Sequence, residues 1–599
     1  MKRALAPILL LAINVYGAPP VDGAPASAGL GSATLQADTG ARPAKAGAPS
    51  RWVERTLRSM TLDEKIGQML CPGVGNAGFR ATDNSDVEIV KNNIANYHVG
   101  CYHTFGGDPA SIALLINEMQ RESKVPLLIT ADLEGGPGYV LFGATRMPLA
   151  MSMGATGDTN VAYEAAKITA EEARAIGVNV NFYPVADVQN NPANPIINIR
   201  SFGDDPARVS EFVQAYVRGA QDNGIIATAK HFPGHGDVAT DSHLEMPVLD
   251  VAPQRLETVE WPPFEAAVNS GVDAVMSAHI WLPQLEPEKG VPSTLSKNVI
   301  TGVLRDQLHF NGLVFTDAMT MRGVSANFPP ADATLRAVNA GDDIILHPPD
   351  IDASFNAIKS AVQSGAIPES RIDASVRRIL EAKAKLHLDD PKNRFVDVNR
   401  LMDVVGTKAH RDFAQQVEDR AITLVRDDRH DLPLRPSPDL RVVQINVLDN
   451  RNGWREGPVG RVAAAELAKR FPRAVTVQVD DQSTPNEFDI VRKLAQTGDA
   501  IVVNGFIRVA AYKGSIDLTN AETNLLKDLS AMKKPFVFTV FGSPYVLTHV
   551  PEVPSYVVTY DISPLAESAM VRAITGEIPF QGTLPIALPG LYPAGYRLK

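Results

Sequence analysis

Lys230, His231, His235, Asp237, Asp241 and His243 fall within one stretch, 227–247, which reads ATAKHFPGHGDVATDSHLEMP. It begins as the end of an apolar run from Ile225 to Ala229, breaks at Pro233, Gly234 and Gly236, and closes on Asp241-Ser242-His243. Gly and Pro punctuate a turn-rich loop, and loops leaving the C-terminal end of a strand are where α/β enzymes place reactive groups. Residues two apart in an extended segment point the same way, so the spacing predicts that Asp241 faces His243 while Ser242 faces elsewhere. A carboxylate beside an imidazole fixes its tautomer, orients it and stabilises its cation. The pair is read as a prepared proton donor and acceptor.

Two other chemistries use the same residues. His231, His235, His243 and Asp237 are enough ligands for zinc, but Pro233 and Gly234 oppose the helix that would align His231 with His235. Asp241, Ser242 and His243 contain the three groups of a serine hydrolase, yet consecutive residues do not converge as a triad, and no G-x-S-x-G elbow is present. No metal and no cofactor is expected.

The pattern K-H-F-P-G-H-G-x-x-x-x-D-S-H, followed further along by G-L-V-F-T-D-A-M at 312–319, resembles the β-N-acetylglucosaminidase branch of glycoside hydrolase family 3. The resemblance implies His243, held by Asp241, as general acid/base and Asp317 as nucleophile. Cleaving a glycosidic bond needs a proton for the leaving oxygen and negative charge near the developing oxocarbenium ion. Asp317 would attack the anomeric carbon, and His243 would protonate the departing group and later deprotonate water, a double displacement with retained configuration. The implied reaction removes terminal non-reducing β-linked N-acetylglucosamine from peptidoglycan- or chitin-derived fragments. Its partners would be amino-sugar oligosaccharides or muropeptides.

Residue by residue, the resemblance further implies substrate binding by Asp132 in D-x-E-G-G, by Arg200 in N-I-R-S-F-G-D-D-P, and by Lys230 and His231. One departure stands out. Where the family continues R-V-x-R after the glycines, this chain has Pro137-Gly138-Tyr139-Val140, so Val140 replaces the second arginine, and Arg146 matches a different position. An aliphatic side chain does not reproduce bidentate arginine contacts, which leaves altered substrate preference or reduced activity open. A carboxylate base would repel an anionic acceptor such as phosphate, whereas an imidazole would not. A phosphorylase or a β-glucosidase of the same family is therefore an alternative, and a catalytically weak carbohydrate-binding protein is another.

Apolar strands alternate with helical stretches from Trp52 onward. The predicted strands are Ile66–Val74, Val99–Phe105, Pro126–Leu133, Val178–Val188, Ile225–Phe232, Ala274–Ile280, Gly312–Asp317 and Asp343–Pro348. Eight such repeats fit a (β/α)8 TIM-type barrel over 51–390, although an open doubly wound sheet has the same periodicity. Asp132, Glu134, Asp187, Lys230, His231, His279, Asp317 and His347 all stand where those strands stop, and so would share one mouth. Residues 391–412 read as an interdomain linker. A second α/β unit over 413–599 is expected to be a C-terminal α/β sandwich domain, with strands at 440–448, 474–479, 499–507, 535–541 and 555–560.

The 599 residues carry a formal net charge of -11, which argues against a nucleic-acid partner. Lys2 and Arg3, an apolar run from Ala4 to Ile13, and Ala26-Ser27-Ala28 read as a signal peptide over 1–28. A flexible linker over 29–50 follows. The mature chain is thus expected to be exported, periplasmic or secreted, with no transmembrane segment. The two cysteines, Cys71 and Cys101, bridge if adjacent in an exported protein and are otherwise two buried thiols.

Overall fold

The computed structural model describes residues 50–74, 84–451, 458–514 and 516–598. The signal-peptide reading and nearly all of the linker reading lie outside them. Among the described residues no helix is long and apolar enough to cross a membrane.

The fold is α/β, and its first layer is a curled, all-parallel sheet. The strands are β1 (Leu70–Cys71), β2 (Gly73–Val74), β3 (Cys101–Thr104), β4 (Leu128–Ala131), β5 (Val180–Asn181), β6 (Ile226–Phe232), β7 (Ala274–Ser277), β8 (Leu313–Thr316) and β9 (Ile345–Leu346). Strands β2 to β8 pair in chain order. Beyond them β1 pairs β9 in parallel, Leu70 opposite Ile345, and Phe315 of β8 bridges Ile344. Apart from β2, where Gly73 is exposed, every residue of these strands is buried, so they read as continuous apolar runs rather than alternating ones. Phe182, Met276, Phe315 and Leu346 pack together inside the curl.

The structure corrects two sequence boundaries. Ile66–Gln68, expected as strand, belongs to the helix Leu62–Gln68. Thr61 and Glu64 there form a reciprocal capping box, and this start signal outweighs the apolar run that follows it. Of Val178–Val188 only Val180–Asn181 is strand, with Val185 making one further bridge to Lys230; Pro184 supplies no N–H to continue a ladder. The stretch 391–412 holds the short helices Pro391–Asn393 and Val398–Asp403 and the start of the helix Lys408–Ala421.

A second sheet follows: β10 (Thr423–Asp427), β11 (Val442–Leu448), β12 (Val475–Asp480), β13 (Ala500–Ile507), β14 (Phe536–Gly542) and β15 (Ser555–Val558). Its order is β10-β15-β14-β13-β11-β12. Only β10, absent from the expected strands, runs antiparallel to its neighbour. Leu525 and Val491 pack on one face of the sheet, Leu467 and Met570 on the other.

Cys71 and Cys101 are joined by a disulfide between β1 and β3, and neither is exposed. The bridge closes a loop of sequence separation 30, which in the chain-entropy account is worth about 3.6 kcal/mol. Reduction, or replacement of both cysteines by serine, is accordingly expected to lower the urea midpoint of unfolding. An identical midpoint with and without reductant would show that the bridge does not form in solution.

Candidate functional site

Strand ends β4, β6 and β8 open on one cavity of about 370 Å³. Asp132 and Glu134 follow β4, Lys230 and His231 lie in β6, and Asp317 follows β8; all five line it, with Arg200 and His243. The structure therefore brings six of the seven sequence-predicted site residues into its walls, with the seventh, Asp241, directly behind His243.

Charges alternate along one side. Lys230 Nζ lies 2.7 Å from Asp132 Oδ1 and 2.7 Å from Glu134 Oε1. Arg200 closes a fork on Glu134, Nε to Oε2 and Nη2 to Oε1, both at 2.8 Å. Bidentate guanidinium–carboxylate geometry is the strong form of this contact. Burial alone would raise the Glu134 carboxyl, but Arg200 and Lys230 hold it well below the usual carboxylate range. Burial likewise works against the charge on Asp132, and Lys230 again wins, leaving it lowered. The Asp132 side chain is 44% exposed, so one of its oxygens is available to a hydroxyl. Glu134 was legible only as a strand end; its D-x-E spacing places it beside Asp132 as the anchor for both cations.

His231 is held from behind, its Nδ1 2.7 Å from Asp187 Oδ2. Asp187 also accepts the backbone N–H of His235 at 2.7 Å. His235 Nε2 turns instead to Ser242 Oγ at 3.0 Å, and both residues are buried. The imidazoles of His231, His235 and His243 thus have separate partners, and among the described residues no group of three His, Cys, Asp or Glu side chains could hold a metal ion. The loop carrying them is seated tightly: a Cβ on Gly236 would come 1.7 Å from the Val188 carbonyl oxygen.

Asp317 leaves β8 with its backbone N–H bonded to Ser277 O at 3.1 Å and its Oδ1 accepting the Ala318 N–H at 2.7 Å. Burial opposes its charge, yet the imidazoles of His279, His231 and His243 and the Ala318 N–H bring the carboxyl down to about 2. His279 sits behind, with Nε2 3.1 Å from Ala318 O.

Asp241 and His243 are paired as expected, Oδ1 to Nδ1 at 2.7 Å, but not through an extended segment. Asp241 Oδ1 also accepts the His243 backbone N–H at 2.9 Å. This side-chain turn is available to Asp, and it folds the chain back so that residues two apart meet. Asp241 is 1% exposed and His243 21%, so the imidazole is the member of the pair that reaches the cavity.

The departure at 137–140 has a definite form. Pro137–Tyr139 is a single helical turn, and the Tyr139 ring lines the cavity. Arg146 lies 4.8 Å over that ring and is committed elsewhere, 2.9 Å from Asp561 Oδ1 and 2.5 Å from Met147 O. Val140 packs against the core instead. An aromatic ring, not a guanidinium, therefore forms this wall. Tyr512, from the loop after β13, is a further wall residue that nothing in the sequence marked.

Comparison with known proteins places the chain among relatives. The N-terminal domain model of glycosyl hydrolase family 3 matches residues 61–382. A β-N-acetylglucosaminidase/β-glucosidase of Cellulomonas fimi is 31% identical over 554 residues, covering 89% of this chain and 95% of that protein. The solved structure of a family 3 β-N-acetylglucosaminidase from Paenibacillus sp. str. FPU-7 superimposes with a TM-score of 0.77 at 32% identity, over 88% of this chain and 99% of that one. A β-glucoside phosphorylase bound to 2FGlc gives a TM-score of 0.80 at 27% identity, over 90% and 96%. With the family model spanning more than half of its length and a relative aligned over nearly all of it, the chain belongs to glycosyl hydrolase family 3.

Proposed function

We propose that this protein is a retaining β-N-acetylhexosaminidase that removes terminal non-reducing β-linked N-acetylglucosamine from peptidoglycan- or chitin-derived fragments. The observation that carries this reading is the shared cavity. A half-buried, ionised Asp317 and an imidazole oriented by its own carboxylate face the same space. Asp317 attacks the anomeric carbon while His243 donates a proton from Nε2 to the glycosidic oxygen, and the carbon–oxygen bond breaks. His243, now neutral, takes a proton from the incoming water, whose oxygen displaces Asp317. Asp241 stabilises the imidazolium present before the first step and regenerated by the second, and holds the neutral ring in orientation between them. Asp132, Lys230, Arg200 and His231 hold the sugar hydroxyls in place, with Glu134 anchoring the two cations. The relatives named β-N-acetylglucosaminidase support the choice of sugar.

The same reading takes residues 51–390 as a closed (β/α)8 barrel, supported by the β1–β9 pairing and the Phe315–Ile344 bridge. Residues 413–599 form a C-terminal α/β sandwich domain in this account. Export to the periplasm or beyond is supported by the Cys71–Cys101 bridge, since disulfides persist in oxidising compartments.

Release of aryl alcohol from an aryl β-N-acetylglucosaminide and from an aryl β-glucoside, each with and without phosphate, tests the proposal. Turnover of the N-acetyl substrate that phosphate does not change is the expected result. Acceleration by phosphate, with a sugar phosphate as product, would replace hydrolysis by phosphorolysis. Turnover of neither sugar would leave the site a carbohydrate-binding pocket whose chemistry the Tyr139 wall has altered.

A further inference from the structure

Half of what holds Asp241 comes from the second sheet. Its Oδ1 is used within its own loop, by the N–H and Nδ1 of His243. Its Oδ2 accepts the backbone N–H of Tyr512 at 2.8 Å, across 271 residues of chain. The Tyr512 ring in turn stands 4.8 Å from the His243 ring, at an interplanar angle of 63°. One residue thus touches both members of the pair, Asp241 through its backbone and His243 through its side chain.

That residue sits on a firm base. Lys513 is fully buried, and its Nζ bonds Arg508 O at 2.8 Å and Asp449 Oδ2 at 2.9 Å, which ties the loop 508–513 back to the end of β11. Tyr512 itself has φ +65. A non-glycine residue in the left-handed region persists only where its surroundings over-determine it, and here the Asp241 bond, the His243 contact and the buried Lys513 do so. Tyr512 as a residue is nevertheless 51% exposed and forms part of the cavity wall.

We infer that Tyr512 is a positioning residue for His243 and, on the acid/base side of the cavity, the wall against which the leaving group packs. This rests on the role proposed above for His243. A general acid must reach the glycosidic oxygen, so it lies on the side where the leaving group departs. The edge-to-face contact keeps the imidazole from rotating away. The exposed part of the ring remains free for the C–H face of a second sugar.

The full chain carrying Tyr512→Ala or Tyr512→Phe tests the inference in two ways. The ring proton resonances of His243, identified by their loss in His243→Gly, are expected to shift in Tyr512→Ala, where the neighbouring ring current is gone, and to stay in place in Tyr512→Phe. This arm needs no turnover, so it decides the contact even where the N-acetylglucosaminidase reading has failed. In kinetics, Tyr512→Ala is expected to lose about tenfold in kcat on a disaccharide with a poor leaving group, in the range of an aromatic pair. On an activated aryl glycoside it should lose less than about twofold, because that leaving group departs with little protonation. Tyr512→Phe should match the parent on both. Unmoved His243 resonances in Tyr512→Ala, equal kcat losses on the two substrates, or a rise in KM alone would overturn the positioning role.

Discussion

Asp317→Ala is expected to lose at least about 10³-fold in turnover while remaining folded. The size follows from what the carboxylate does: without it no glycosyl–enzyme bond forms, and only binding and proton donation remain. Folding should survive because the side chain contributes one local hydrogen bond, to the Ala318 N–H, whose loss costs about 1 kcal/mol. The strand beneath it is anchored separately, through the Asp317 N–H to Ser277 O and through β7 and β9 on either side. Turnover of an aryl glycoside and a thermal melt of the same preparation check both halves. Near-parental turnover in a folded variant would remove Asp317 from the reaction.

His243→Gly carries the second large effect, and its signature is selectivity rather than size. Substrates with poor leaving groups need a proton at the glycosidic oxygen and should slow by about 10² to 10⁴-fold, the usual contribution of a positioned acid. Activated aryl glycosides should form the glycosyl enzyme at nearly the parental rate. Equal losses on the two classes would mean that His243 supports the pocket without transferring a proton.

Much of this site could be read from local sequence because strand ends are locally encoded. An apolar run that stops at Asp132, at Lys230-His231 or at Asp317 fixes both the residue and the face on which it emerges, and a curled parallel sheet then gathers those ends. The dyad was also legible, though for a different local reason: a side-chain turn, not an extended strand, brings Asp241 to His243. The helix at Ile66–Gln68 was hidden by its apolar composition, although the Thr61–Glu64 cap was there to be read. What sequence could not supply depends on distant packing. Tyr512 meets Asp241, and Arg146 meets Asp561, only after two sheets separated by hundreds of residues have docked. Nothing in the neighbourhood of Val140 signals that Tyr139 takes over the wall while Arg146 is spent elsewhere.

The alternation of charge in the cavity has one gap. Lys230 is shared by Asp132 and Glu134 and Arg200 is spent on Glu134, whereas imidazoles and one amide are what lower the Asp317 carboxyl. Where positive charge develops on a reacting sugar, the pocket thus presents a carboxylate with no lysine or arginine partner among the described residues. Small inhibitors should therefore be sorted by where they carry their cation. A ring nitrogen protonated at the position of the anomeric centre meets a carboxylate that no lysine or arginine holds, while a cation placed at the far hydroxyls competes with Lys230 for partners it already holds.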